Sequence, residues 1–135
     1  RVVLGSAYGA TSPVRTASET LYAELRLIAG ATVGIESDAR EKAVYVVDGE
    51  IDIAGETVAA GTLAVLQDDV APELHARSES LVMLLGGEPI DGPRRIWWNF
   101  VSSSAERIEK AKADWREGRF DRIEGESEFI PLPED

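Results

Sequence analysis

Cysteine is absent from this 135-residue chain, and histidine occurs once, at His75. The first absence excludes disulfides, thiolate metal ligands and cysteine nucleophiles. The second excludes any single-chain site built on two or three imidazoles, the usual ligands of iron, copper or zinc. Basic residues are few beside acidic ones, 14 against 25, for a formal net charge of -11. Such a surface repels phosphates, so no nucleic-acid backbone is expected as a partner. No apolar run reaches the roughly 18 residues that span a bilayer, so no membrane association is expected. With no signal peptide visible either, a cytoplasmic location is expected. The chain opens on Arg1 rather than methionine and reads as a fragment or a processed product.

What is present is an ordinary globular composition, 44% hydrophobic and 29% charged, in a length that suits one domain with a real core. Short β-rich runs separated by turn residues fill the first two thirds. Arg1–Leu4 is a short apolar start that reads as a first strand, and Gly5–Thr16 as an irregular loop. Leu21, Ala23, Leu25 and Leu27 alternate with Tyr22, Glu24 and Arg26, the period of a half-buried strand. Ala43–Val47 and Glu50–Ala54 read as partner strands joined by a two-residue hairpin turn at Asp48-Gly49. Thr57–Ala59 and Thr62–Leu66 follow the turns at Gly55 and Gly61. After a polar loop from Gln67 to Pro72, Glu73–Arg77 and Ser80–Leu85 close the set, ended by Gly86-Gly87. Strands of this spacing predict an all-β sandwich or barrel, with no helix before residue 103.

The rest is organised differently. Ile96-Trp97-Trp98-Asn99-Phe100-Val101 is an aromatic ribbon, followed by three serines and an amphipathic helix running to Phe120. Ser103 with Glu106 forms a capping box, and Gly118 takes the left-handed conformation that ends the helix. Ile108, Ala111 and Trp115 form its buried stripe. Glu106 and Lys110 make an i,i+4 pair, and Arg116 and Arg119 lie at the negative end of the dipole. The tail from Asp121 is acidic, punctuated by proline, and expected to lie extended.

This segment resembles the end of bacterial pirin-family proteins. The resemblance rests on Ile96 through Ser104, Glu106-Arg107-Ile108-Glu109, Ala111-Lys112, Asp114-Trp115, Gly118-Arg119-Phe120 and the closing Glu128-Phe129-Ile130-Pro131-Leu132-Pro133. Pirins are bicupins, and the resemblance covers their second domain over essentially this whole chain. It implies a cupin barrel (a double-stranded β-helix, or jelly roll) over about residues 1–92, the aromatic segment and helix at 93–120, and the tail at 121–135. It also implies an N-terminal cupin as partner, carrying iron or another divalent metal. The activity of some pirin-like proteins is quercetin 2,3-dioxygenation. The resemblance equally allows a non-enzymatic regulatory module, transcription-cofactor-like or redox-sensing, and a stand-alone small-ligand-binding barrel is a third reading.

Cupins mark their metal site with two motifs, and this chain keeps the glycines but not the ligands. The first frame fits Gly30 and Gly49, with Glu36, Asp38 and Lys42 at the three ligand positions. The second, counted from Gly61, puts Pro72 where a histidine is required, three residues from His75. Alternation would set Glu36, Asp38 and Lys42 on one strand face, where a hard cation is conceivable. A solvated loop, or Lys42 paired with the carboxylates in place of a metal, is the simpler reading. No catalytic, cofactor-binding or metal-binding residue is therefore expected in this chain.

His75 should share an outward face with Glu73 and Arg77 while Leu74 and Ala76 point inward. Trp97, Trp98 and Trp115 offer a stacking surface for a flat ligand, although packing explains residues of this size better. Ser102–Ser104 lack a nucleophile elbow and serve as caps. The glycine pairs Gly5 with Gly9 and Gly86 with Gly87 lack the setting of a phosphate loop. A chain deprived of its partner domain is expected to self-associate as a homo-oligomer, through bare aromatic surface at Trp97 and Trp98.

Overall fold

The computed structural model describes residues 1–67 and 72–133. They fall into two compact units, Arg1–Pro89 and Ile90–Asp135. Part of the loop expected between Gln67 and Pro72 lies outside the described residues.

The first unit holds, in chain order, β1 (Val2–Leu4), β2 (Ser6–Ala7), β3 (Ala10–Thr11), β4 (Thr20–Leu27), β5 (Thr32–Gly34), β6 (Glu41–Asp48), β7 (Glu50–Ile53), β8 (Glu56–Ala59), β9 (Leu63–Val65), β10 (Glu73–Ala76) and β11 (Ser80–Gly87). Among the described residues it contains no helix. Five strands form one sheet in the order β1-β4-β11-β6-β9, and four form a second in the order β5-β10-β7-β8. Every pairing is antiparallel.

The period-two pattern decides which side of each sheet is dry. Leu21 and Ala23 on β4, Val44 and Val46 on β6, and Val82 and Leu84 on β11 point inward. Ile51 and Ile53 on β7 and Leu74 and Ala76 on β10 join them in one core cluster that draws on both sheets. Val44, Val46, Ile51, Leu74, Val82 and Leu84 are each less than 2% exposed, and burial of each is worth roughly 1.5–3 kcal/mol. The two sheets enclose this aliphatic interior without merging into one continuous sheet, the two-sheet form of the jelly roll expected from sequence.

Three local expectations need correction. The turn at Asp48-Gly49 does not join partner strands: β6 belongs to the five-stranded sheet and β7 to the four-stranded one. Gly49, at φ +82°, carries the chain from one sheet to the other. The two-residue hairpin lies instead at Ala54-Gly55, both with positive φ, between paired Ile53 and Glu56; two successive positive-φ residues match the right-handed twist of the flanking strands. Gly86 and Gly87 do not follow β11 as a stop but are its last two paired residues. A Cβ on Gly86 would lie 2.8 Å from the Glu41 carbonyl oxygen, and one on Gly87 2.6 Å from that of Glu19. The loop expected at Gly5–Thr16 also contains the small β2–β3 ribbon.

The second unit begins with β12 (Arg95–Trp97) and β13 (Phe100–Ser102), a hairpin, and continues into α1 (Ala105–Arg116). The N-cap is Ser104, not Ser103: Ser104 is extended, and its side chain accepts from the Arg107 amide at 3.3 Å. Ser102 Oγ in turn accepts from the Ser104 amide at 3.2 Å. The run of serines thus caps in series, one register later than the box predicted. At the other end the Gly118 amide reaches Trp115 O at 3.1 Å and the Arg119 amide reaches Asp114 O at 2.8 Å. Those two bonds, with Gly118 at φ +64°, make the left-handed stop that the glycine predicted. Lys110 pairs forward with Asp114 rather than back to Glu106. Ile108 is buried, while Ala111 and Trp115 are half-buried.

Candidate functional site

Of the five residues on which a cupin metal site would depend, only Glu36 and Asp38 share a structural element. Glu36 and Asp38 are both exposed and sit in the loop between β5 and β6, not on a strand. They do share one side, but it is the outer one: Ile35 and Ala39 take the inward positions, 6% and 2% exposed. The alternation Ile35, Ser37, Ala39 against Glu36 and Asp38 was the available signal. The bend at Arg40 then breaks the period, so Lys42 does not share their face. Its parity on β6 is that of buried Val44 and Val46, and its ammonium donates to the Ala39 carbonyl. Lys42 therefore does not pair with the two carboxylates in place of a metal. Pro72 is half-buried just before β10.

His75 lies on the outer face of β10, as alternation predicted, with Leu74 and Ala76 at 0% exposure behind it. It shares a hydrogen bond with Thr32 through Nδ1, at 3.0 Å. The register aligns Thr32, His75, Asp52 and Thr57 in one row across β5, β10, β7 and β8. Thr57 Oγ1 donates to Asp52 Oδ1 at 2.7 Å, and Arg77 bridges Asp52 at 3.2 Å and Glu50 at 2.9 Å. The Thr57 hydroxyl, and then the Arg77 guanidinium, hold the Asp52 carboxyl below its ordinary range. A depressed carboxylate contributes stability above its unfolded-state pKa, and the contribution is lost as pH falls through the folded value. Asp52→Asn should therefore lower melting at neutral pH, where the charged carboxylate contributes, and the loss should shrink as pH falls below about 4. Melts at pH 3 and pH 7 measure it. An equal shift at both would show that the row acts by packing alone.

Two grooves open on the first unit. One, of about 450 Å³, is lined by Ser6–Thr11 and Glu36–Asp38. Tyr8 lies in it and donates to Gly34 O at 2.9 Å; burial first, then the Glu36 charge, pushes its phenol pKa up. The other, of about 500 Å³, runs past Ser18–Thr20, Glu41–Ala43 and Leu85–Glu88. Neither brings imidazole to carboxylate.

In the second unit the aromatic residues meet one another. Trp115 lies 5.1 Å from Trp98, 5.6 Å from Phe120, 5.9 Å from Phe129 and 6.3 Å from Phe100. Trp98 sits at φ +49° in the two-residue turn between β12 and β13, a conformation with a strain of order 1–3 kcal/mol that its ring contacts must offset. Lys112, 8% exposed, places Nζ 4.2 Å from the centre of Trp97 and pairs with Glu109 at 2.9 Å. The bare residues of the ribbon are Ile96 and Val101, 74% and 61% exposed, rather than Trp97 and Trp98, which are half-buried.

As for a metal, the donors present do not fit one: two exposed loop carboxylates, an ammonium on a carbonyl, and a lone imidazole on the outer sheet face. Among the described residues no three His, Cys, Asp or Glu side chains converge, and no helix is long and apolar enough to cross a membrane.

An antiparallel two-sheet body, followed in the chain by one helix among the described residues, has the architecture of a cupin-class protein, in agreement with its relatives. A crystal structure of quercetin 2,3-dioxygenase from Acinetobacter baumannii superposes with a TM-score of 0.81 at 25% identity, over 98% of this chain and 46% of that one. A second structure of that name from the same organism gives 0.82 at 23% identity, over 89% and 43%. Residues 22–121 match the pirin C-terminal cupin domain, and the chain belongs to that family. A pirin-like protein of Caulobacter vibrioides is 42% identical over 99% of this chain and 46% of its own length. A Pseudomonas aeruginosa protein provisionally named a quercetin 2,3-dioxygenase is 31% identical over 92% of this chain and 42% of its own. The chain thus spans less than half the length of these relatives.

Proposed function

We propose that this chain is the metal-free C-terminal cupin of a pirin-type bicupin acting in the cytoplasm. In this reading it supports an N-terminal cupin that holds iron or another divalent metal, and quercetin-type oxygenation belongs to that partner. The organisation is a cupin body to about residue 92, the aromatic segment and helix at 93–120 and the tail beyond, working as one C-terminal domain. The observation that carries the proposal is the filled interior. The space between the sheets is occupied by Val44, Val46, Ile51, Leu74, Val82 and Leu84, all under 2% exposed, while Glu36 and Asp38 face solvent. Oxygen activation needs a redox group with an open position and a substrate beside it, and an aliphatic core supplies neither. The names carried by the relatives support the assignment of the chemistry to the longer protein.

The test loads the purified chain with iron, copper or nickel, removes excess, and measures metal content together with oxygen uptake in the presence of quercetin. The expected result is no stoichiometric metal and no uptake, against both in the longer protein. One tightly held metal per chain that is lost in the Glu36→Ala/Asp38→Ala variant would overturn the metal-free reading. A longer protein that binds metal but consumes no oxygen would favour a regulatory module over an enzyme.

A further inference from the structure

The tail of the second unit is seated on the aromatic cluster as a peptide is seated in a recognition groove. It arrives by a connector, residues 121–128, that is exposed throughout. Among the described residues, the hydrogen bonds of this connector are its own. The Glu126 amide donates to Ile123 O at 3.1 Å, and the Ser127 and Glu128 amides donate to Glu126 Oε1 at 2.8 Å each. Contact with the cluster begins at Phe129, whose ring stacks on Trp115 at 5.9 Å and 26°. The next residue gives a backbone anchor, Ile130 O, which accepts from the Trp115 indole at 2.8 Å. Leu132 is half-buried beyond it. Pro131 and Pro133 have no amide hydrogen and a fixed φ, so the segment is set in extended form and loses little entropy on seating. A stacking face, an indole donor and a proline-bearing strand are the elements by which aromatic grooves take peptides.

The seat is a loose one. Phe129 and Ile130 remain 60% and 63% exposed, and Phe120, which borders the stack 5.6 Å from Trp115, is 45% exposed. Burial is what makes apolar side chains stabilising, and here most of it is forgone. The turn that brings the tail back has Gly125 at φ +82° and one backbone bond across it. Segments held by so few buried contacts open at low free energy. We propose that Trp98, Phe100, Trp115 and Phe120 form a docking groove for an extended aromatic–aliphatic–proline segment of another protein, and that residues 129–133 fill it as a displaceable strap. The strap itself shows the chemistry that the groove takes. A second copy of the chain is the weaker competitor, because it brings the same loosely seated segment against a tethered one at an effective concentration on the order of mM. A segment of another protein that covers more of the Trp115 face overcomes that tether.

The test uses the full chain and, as probe, a fluorescein-labelled peptide of residues 125–133, read by anisotropy. The variant Phe129→Ala/Leu132→Ala removes the anchors of the strap and leaves Trp115 and the helix in place. The peptide should bind this variant about tenfold more tightly than the parent, whose own strap competes. Trp115→Phe added to the variant keeps a ring and loses the indole donor, and should weaken the peptide about fivefold, the worth of one hydrogen bond. A peptide with Phe129→Trp offers a larger stacking face and should bind both proteins more tightly than the native sequence does. No binding to the variant would overturn the proposal and leave the tail a fixed part of its unit. Equal affinity for parent and variant would place the peptide elsewhere and overturn it as well. No gain from the tryptophan peptide would show that the strap already fits, and would remove the case for another occupant. Dimerisation of the parent with concentration, abolished in the variant, would give the groove to a second copy and overturn the assignment to another protein.

Discussion

Trp115→Ala should destabilise the second unit by about 3 kcal/mol, at the lower end of what truncation of a large aromatic does in a packed site. The ring is half-buried rather than fully buried, which argues against the upper end. Its loss nevertheless removes the common member of four ring contacts, to Trp98, Phe100, Phe120 and Phe129. Pairs of this geometry are worth roughly 0.5–1.5 kcal/mol each beyond area burial. It also frees the tail, because the Trp115 indole N–H donates to Ile130 O at 2.8 Å. Trp115→Phe keeps a ring and loses that donor, so it should lower stability by only about 1 kcal/mol while releasing Phe129 and Ile130. Hydrogen exchange of the helix amides, with the tail monitored separately, distinguishes the two effects. If the alanine variant protects its helix like the parent, the aromatic cluster is not what holds this unit together.

How much of this was legible in the chain depends on whether local or long-range pairing decides. The helix stop at Gly118 and the strand alternation of β4 and β10 depend on neighbours a few residues away, and the pattern gave both. The outward placement of His75 followed from Leu74 and Ala76 on either side. The crossover at Asp48-Gly49 did not follow. A two-residue turn between β-rich runs is the strongest short-range hairpin signal, yet β6 finds its partners in β9 and β11, and β7 in β8 and β10. Those pairings are decided by core burial and not by the turn. The solvated-loop reading of Glu36 and Asp38 agrees with their exposed placement, whereas the alternative strand face did not follow, because the inward residues are the apolar ones beside them, Ile35 and Ala39. The N-cap slipped by one because three consecutive serines offer equivalent oxygens, and the start of α1 at Ala105 leaves Ser104 as the one whose side chain meets the Arg107 amide.

Gly49→Ala should be among the most damaging single-methyl additions in the first unit, for two separable reasons. The backbone there lies at φ +82°, where any side chain is disfavoured by roughly 1 kcal/mol. The added Cβ would also stand 2.3 Å from Ser80 Oγ, 2.4 Å from Glu79 O and 2.8 Å from Ser80 Cα. Two of those atoms are backbone and cannot step aside alone. Ser80, 5% exposed, is held in turn: it accepts from the Glu50 amide at 3.2 Å and donates to Ser78 O at 3.0 Å. A methyl at residue 49 therefore pushes the start of β11 away from the crossover and breaks the bonds that fix the two sheets at that point. Gly30→Ala is the matched control, since its φ is +80° but nothing lies within 4 Å of the Cβ. It should lower stability by the conformational part alone, about 1 kcal/mol. Gly49→Ala should lower it by about 3–4 kcal/mol, on the order of 10 °C or more in melting temperature for a unit of this size. Denaturant and thermal melts of the two variants side by side give the difference directly. Equal losses would mean that the crossover relaxes around the methyl and that the close approach at Ser80 has no part in joining the sheets.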